Sequence, residues 1–121
     1  IIYIIYMYKL LDKENYYGNC EYKLFINKKK YINLTTQFFF RLNEGNQKCI
    51  YIIGIDDFGY LHIKNFKTIL KNTFYFINII NKYQNIKYKI CFFYINQYIF
   101  SIITFYNTQI SNNNFIDFNN F

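Results

Sequence analysis

The residues able to do chemistry are few: one histidine (His62), three cysteines (Cys20, Cys49 and Cys91), the adjacent carboxylates Asp56 and Asp57, and the run Lys28, Lys29 and Lys30. A nucleophilic site needs a base within reach of an activated hydroxyl or thiol, so His62 would have to serve, yet no Ser or Cys stands in an elbow or oxyanion context. Beside a turn, His62 reads as an ordinary surface residue. The cysteines are widely spaced and odd in number, which supplies neither a CxxC zinc pattern nor a full disulfide framework. They read as free thiols of a reducing compartment, and so of a cytoplasmic protein. Asp56 and Asp57 could bind a metal or act as acid and base only if a turn brought together side chains that a strand would send to opposite faces. Shaping the turn through an Asp side chain is the simpler account.

Nucleotide loops are excluded as well. Backbone amides wrap a phosphate only where glycines cluster, and the four here, Gly18, Gly45, Gly54 and Gly59, are scattered. Lys28, Lys29 and Lys30 beside Tyr31 could touch RNA phosphate, although the basic-Gly-aromatic-Gly-aromatic run of an RRM is absent. A freestanding basic module that binds RNA or protein is therefore the alternative to the function inferred below.

Composition is a weaker guide. Ile (23), Asn (18), Phe (15), Tyr (15) and Lys (13) dominate the 121 residues, and Ala, Val, Pro and Trp are absent. A/T-rich codons encode those five residues, so coding bias explains the skew without reference to function. The net charge of +7 rests on lysine, with Arg41 the only arginine. Such a charge suits anionic partners, but it is also what solvated lysines give. Collagen-like, Pro-rich and disulfide-scaffold chains are excluded. The apolar segment 1–8 is too short to span a bilayer, and 90–106 breaks at Asn96 and Gln97, so no membrane partner is favoured.

These residues need elements to position them. Alternation over 21–26 reads as a strand. Tyr31, Leu34, Phe38 and Leu42 share a helical face, and Gly45 ends that helix as a left-handed cap. Residues 48–56 read as a second strand with Gly54 inside it, 57–59 as a turn and 60–63 as a short extended piece. A second helix starts after Asn65, a candidate N-cap, and carries Phe66, Ile69, Leu70, Ile77, Ile80 and Tyr83. Segments 86–95 and 98–110 read as antiparallel strands joined by a two-residue turn. The order β-α-β-(β)-α-β-β implies an α+β fold, a two-layer α/β sandwich, ferredoxin-like in general plan. Residues 19–110 form its single domain, after an irregular segment 1–18 and before an Asn-rich tail 111–121.

Two blocks are more specific. LTTQFFFRLNEG at 34–45, followed by IYIIGIDDFGYL at 50–61, resembles the pattern L-x-T-Q-x-x-x-R-L-x-E-G … Y-x-I-G-x-x-D-x-G-x-L of the GTP-binding protein 1 and 2 family, translational GTPases related to elongation factors. GNCEYKL at 18–24 is similar to the entry strand of that family. The matching positions are Thr36, Gln37, Arg41, Glu44, Gly45, Gly54, Asp57 and Gly59.

The resemblance implies a non-catalytic N-terminal domain. GTP and magnesium would belong to the parent's G domain, which these residues do not contain, and the tail would lead into it. Catalytic, cofactor and metal residues are therefore expected to be none in this chain. The implied partners are that G domain and tRNA, ribosome or mRNA, in elongation or mRNA surveillance. Gln37, Arg41 and Glu44 fall on one helical face, where Arg41 and Glu44 can pair within the helix. They read either as a structural network or as a polar docking surface.

Overall fold

The computed structural model describes residues 7–108. Its elements are β1 (Met7–Lys9), β2 (Cys20–Lys23), a 3₁₀ turn (Lys28–Lys30), α1 (Tyr31–Glu44), β3 (Lys48–Ile53), β4 (Tyr60–His62), α2 (Phe66–Ile80), β5 (Ile86–Ile95) and β6 (Tyr98–Asn107). The expected strands and both helices are present, and the fold is the α+β, two-layer arrangement. The readings of segment 1–6 and of the tail 111–121 lie outside the described residues.

The main sheet has the order β2-β3-β6-β5. β2 and β3 are parallel neighbours, which α1 makes possible as the crossover between them, while β6 is antiparallel to both β3 and β5. Both helices pack on one face. Leu34, Phe38 and Leu42 of α1 meet Phe76, Ile77 and Ile80 of α2 over Cys49, Tyr51, Ile53, Ile103 and Phe105. At the centre Tyr51 stacks on Phe76 at 4.4 Å, and Phe38 meets Phe105 edge-on at 5.0 Å. Offset and edge-to-face rings add to their area burial. The opposite face buries Tyr22, Ile52, Ile55, Leu61, Tyr98 and Phe100.

Part of segment 1–18 is ordered rather than irregular. β1 pairs with β4, Met7 opposite His62 and Lys9 opposite Tyr60. The amides of Leu10 and Leu11 then donate to the Gly59 carbonyl, and that of Glu14 to the Asp57 carbonyl. These partners lie about fifty residues downstream, beyond the reach of a local sequence pattern.

Three boundaries differ from expectation for physical reasons. The first strand stops at Lys23, because its partner β3 ends at Ile53, where Gly54 turns the chain at φ +108°. Gly45 is not left-handed, with φ at −97°; Asn46 and Gln47 take the positive φ values instead. Glycine is needed at 45 for close approach, since a Cβ there would lie 1.8 Å from the Lys48 carbonyl oxygen. The second helix ends at Ile80, leaving Tyr83 beyond it.

Local signals succeeded elsewhere. Asn65 caps α2 by accepting from the Thr68 amide at 2.8 Å. Asn96, at φ 54°, sits in the turn between β5 and β6. Gly59 has φ +91° and closes the 56–59 turn by donating to the Asp56 carbonyl.

Candidate functional site

Arg41 lies in the last turn of α1 and is 3% exposed. Its Nε donates to Glu21 Oε1 at 2.7 Å, and its two terminal nitrogens donate to the carbonyls of Gly18 and Asn15, each at 2.8 Å. Glu14 Oε2 is 4.0 Å from the same guanidinium and accepts from the Tyr22 amide. Glu21 is itself buried, with Lys23 Nζ at 3.6 Å. A planar fork of donors can hold one carboxylate and two carbonyls together, whereas an ammonium is a single point. In a chain whose other bases are all lysine, the lone arginine marked this position.

The cluster is crowded with carboxylates. Burial raises Glu14, and the nearby Glu21 and Asp57 add to the rise. The Tyr22 amide and Arg41 oppose it, and the balance leaves Glu14 at about 7. Sequence reasoning missed Glu14 because its burial arises entirely from distant partners. Burial also pushes the Cys20 thiol up and that of Cys49 to about 12. Neither is an activated nucleophile.

Glu44 does not pair with Arg41. Its Oε1 accepts from the Gly18 amide at 3.0 Å, while Arg41 reaches across to β2. Thus Gly18, Glu21, Arg41 and Glu44, drawn from separate stretches of the sequence, meet in one network. Gln37 and Thr36 lie beside it on an open groove of about 440 Å³, lined also by Glu14, Tyr16, Asn33 and Phe40. The Thr36 hydroxyl donates back to the Ile32 carbonyl at 3.0 Å.

The candidates of the 54–62 stretch make local and cross-strand hydrogen bonds. Asp56 Oδ1 accepts from the amides of Phe58 and Tyr60 at 2.9 and 3.0 Å, and its Oδ2 is 2.8 Å from His62 Nε2. Burial works to raise Asp56, but His62 and the two amides outweigh it and hold the carboxyl below its usual value. His62 is therefore a half-buried partner of Asp56, not a bystander. Asp57 is exposed and contributes its carbonyl to the Glu14 amide. Gly54 donates to the Lys23 carbonyl at 2.7 Å, and a Cβ on it would meet Ile69 Cδ1 at 3.0 Å.

Lys28, Lys29 and Lys30 form the exposed 3₁₀ turn before α1, capped by Asn27 accepting from the Lys29 amide. Lys28 lies over Tyr75 at 4.9 Å, and Lys30 joins Lys23, Phe25, Asn27, Asn33 and Gln37 on a second open groove. No cluster of three His, Cys, Asp or Glu able to hold a metal occurs among the described residues. No described helix is long and apolar enough to cross a membrane. Comparisons with protein-family models, curated proteins and solved structures find no match.

Proposed function

We propose that the chain is a non-catalytic docking module, the N-terminal domain of a translational GTPase similar to GTP-binding protein 1 and 2. Its parent binds and hydrolyses GTP, with magnesium, on a separate G domain and works on the ribosome with tRNA or mRNA in the cytoplasm. One observation supports the reading: Arg41 and Glu44 join two of the three resembling blocks, 18–24 and 34–45, in one hydrogen-bonded network. The docking surface is the α1 groove, where Thr36 and Gln37 lie beside Phe40 and Tyr16.

The coding sequence downstream of Phe121 tests the proposal. A GxxxxGK loop followed by Ser or Thr within a domain's length is the expected finding, and its absence refutes the assignment. GTP hydrolysis by these residues alone would also refute it.

The groove holding Lys23 and Lys30 favours a second reading, a basic module that binds RNA. It requires affinity for RNA that falls steeply as salt rises. No binding at low ionic strength removes it.

A further inference from the structure

β5 is ten residues long and stands at the edge of the main sheet. The Thr108 amide donates to the Asn85 carbonyl, and Ile86 lies opposite Asn107. Antiparallel pairing alternates, so the odd residues from Lys87 to Ile95 turn their backbone groups toward β6. Ile86, Tyr88, Ile90, Phe92 and Tyr94 therefore direct theirs outward, and no described residue pairs with them. Natural edges are blunted with charge, proline or bulges. Lys87 and Lys89 do this for the first half of β5, while the second half, CFFYI, carries no such guard.

We propose that the chain forms a homodimer through this edge, β5 pairing antiparallel with β5 of a second copy about a two-fold axis at Cys91. Two-fold axes at residues 87, 88 or 89 would set lysine against lysine, and an axis at Ile90 would leave Lys89 diagonal to its own copy, so Cys91 is the first axis that keeps the lysines apart, with residues 87–95 still paired. Reversal about Cys91 sets Lys89 opposite Phe93 of the second copy and Lys87 opposite Ile95, so no lysine faces a lysine. Each aliphatic stem lies along an apolar residue. On the helix-covered face, Ile90 falls opposite Phe92 and Tyr88 opposite Tyr94, an aromatic cross-strand pair. Phe92, Phe93 and Tyr94, 38%, 40% and 71% exposed in the single chain, are all drawn into the seam. The result is a continuous eight-stranded sheet with self-complementary contacts, as a two-fold interface requires. This proposal does not rest on the GTPase reading.

The register places Cys91 opposite its own copy in a non-hydrogen-bonded pair, where Cα atoms lie about 4.5 Å apart, within disulfide range. Cys91 is exposed and Cys49 is buried. Sedimentation of the chain over a range of concentrations should give twice the monomer mass. Diamide, reduced as it takes the two thiol hydrogens, should convert that species to a Cys91–Cys91 disulfide identified by peptide mapping.

Cys91→Lys puts two ammonium groups face to face and should weaken association about fivefold or more, whereas Cys91→Ser should not. Phe92→Pro removes an outward N–H without touching the β6 ladder and should give monomer. A monomer at all concentrations overturns the proposal. So does a dimer that ignores Cys91→Lys, or one whose crosslink maps to Cys20.

Discussion

Replacing Arg41 with lysine keeps the charge and most of the length but removes the fork. In the wild type the guanidinium donates to Glu21, Gly18 and Asn15 at 2.7 to 2.8 Å. One ammonium on the α1 backbone cannot meet acceptors that approach from three directions, so it keeps the Glu21 contact and forfeits the two carbonyls. Each lost hydrogen bond to a charged donor is worth roughly 1.5 kcal/mol, which sets the expected loss at about 3 kcal/mol. Arg41→Ala also leaves Glu21, 3% exposed, without its main partner and should cost about 3–5 kcal/mol. A domain of this size has only about 5–15 kcal/mol in total.

The assay is urea unfolding followed by far-ultraviolet circular dichroism, since the chain has no tryptophan. The midpoint should fall with little change in slope. The Arg41→Met, Glu21→Leu pair should recover the part of the Arg41→Ala loss that comes from the stranded Glu21 carboxylate, while the Gly18 and Asn15 carbonyls stay without that donor. An Arg41→Lys chain within about 0.5 kcal/mol of wild type, a value typical of surface substitutions, would refute the reasoning.

Three further outcomes follow from the same contacts. Glu14 moves from 4.5 to about 7 on folding, so the folded chain holds this proton more tightly. Its contribution is complete below pH 4.5 and is lost as pH rises toward 7; the wild-type melting temperature should fall across that window relative to Glu14→Gln, and parallel curves would contradict it. Gly59→Ala should destabilise far more than Gly18→Ala in thermal melts: both have positive φ, but a Cβ at 59 would meet the Leu11 carbonyl at 1.9 Å, while Gly18 has open space. Gly18→Ala should cost about 1 kcal/mol, the strain of the left-handed backbone alone. The Tyr51 hydroxyl is buried with no hydrogen-bond partner among the described residues, so Tyr51→Phe should leave the urea midpoint unchanged or raise it, and a loss above about 1 kcal/mol would point to an unseen partner.

What the sequence revealed was local. α1 and α2 announced themselves by apolar spacing, Asn65 by its capping type, and the β5–β6 hairpin by two polar residues between apolar runs. Each signal lies within a few residues of the structure it specifies. The parallel β2–β3 pair and the sheet order are set by which surfaces pack together, and no local period encodes that. The site divides the same way. Arg41 and Glu44 were legible as neighbours on a helix, yet Arg41 pairs with the buried Glu21 on β2 and Glu44 accepts from the Gly18 amide just before it. Buried electrostatics favour an acceptor that is itself desolvated over an exposed one a turn away. Asp56 was legible as a turn residue, whereas its bond to His62 depended on β4 folding back.

The pairing of β1 with β4 also bears on the order of assembly. Synthesis proceeds from the N-terminus, and domains fold as their segments become available. Met7 reaches its place opposite His62 only after some fifty more residues have emerged, and Asn15 waits on Arg41. The earliest-made stretch of this described structure is thus among the last to be secured. Until β4 has been made, Met7–Lys9 has no partner strand, and a ribosome stalled before codon 60 would present that segment unpaired for as long as the stall lasts.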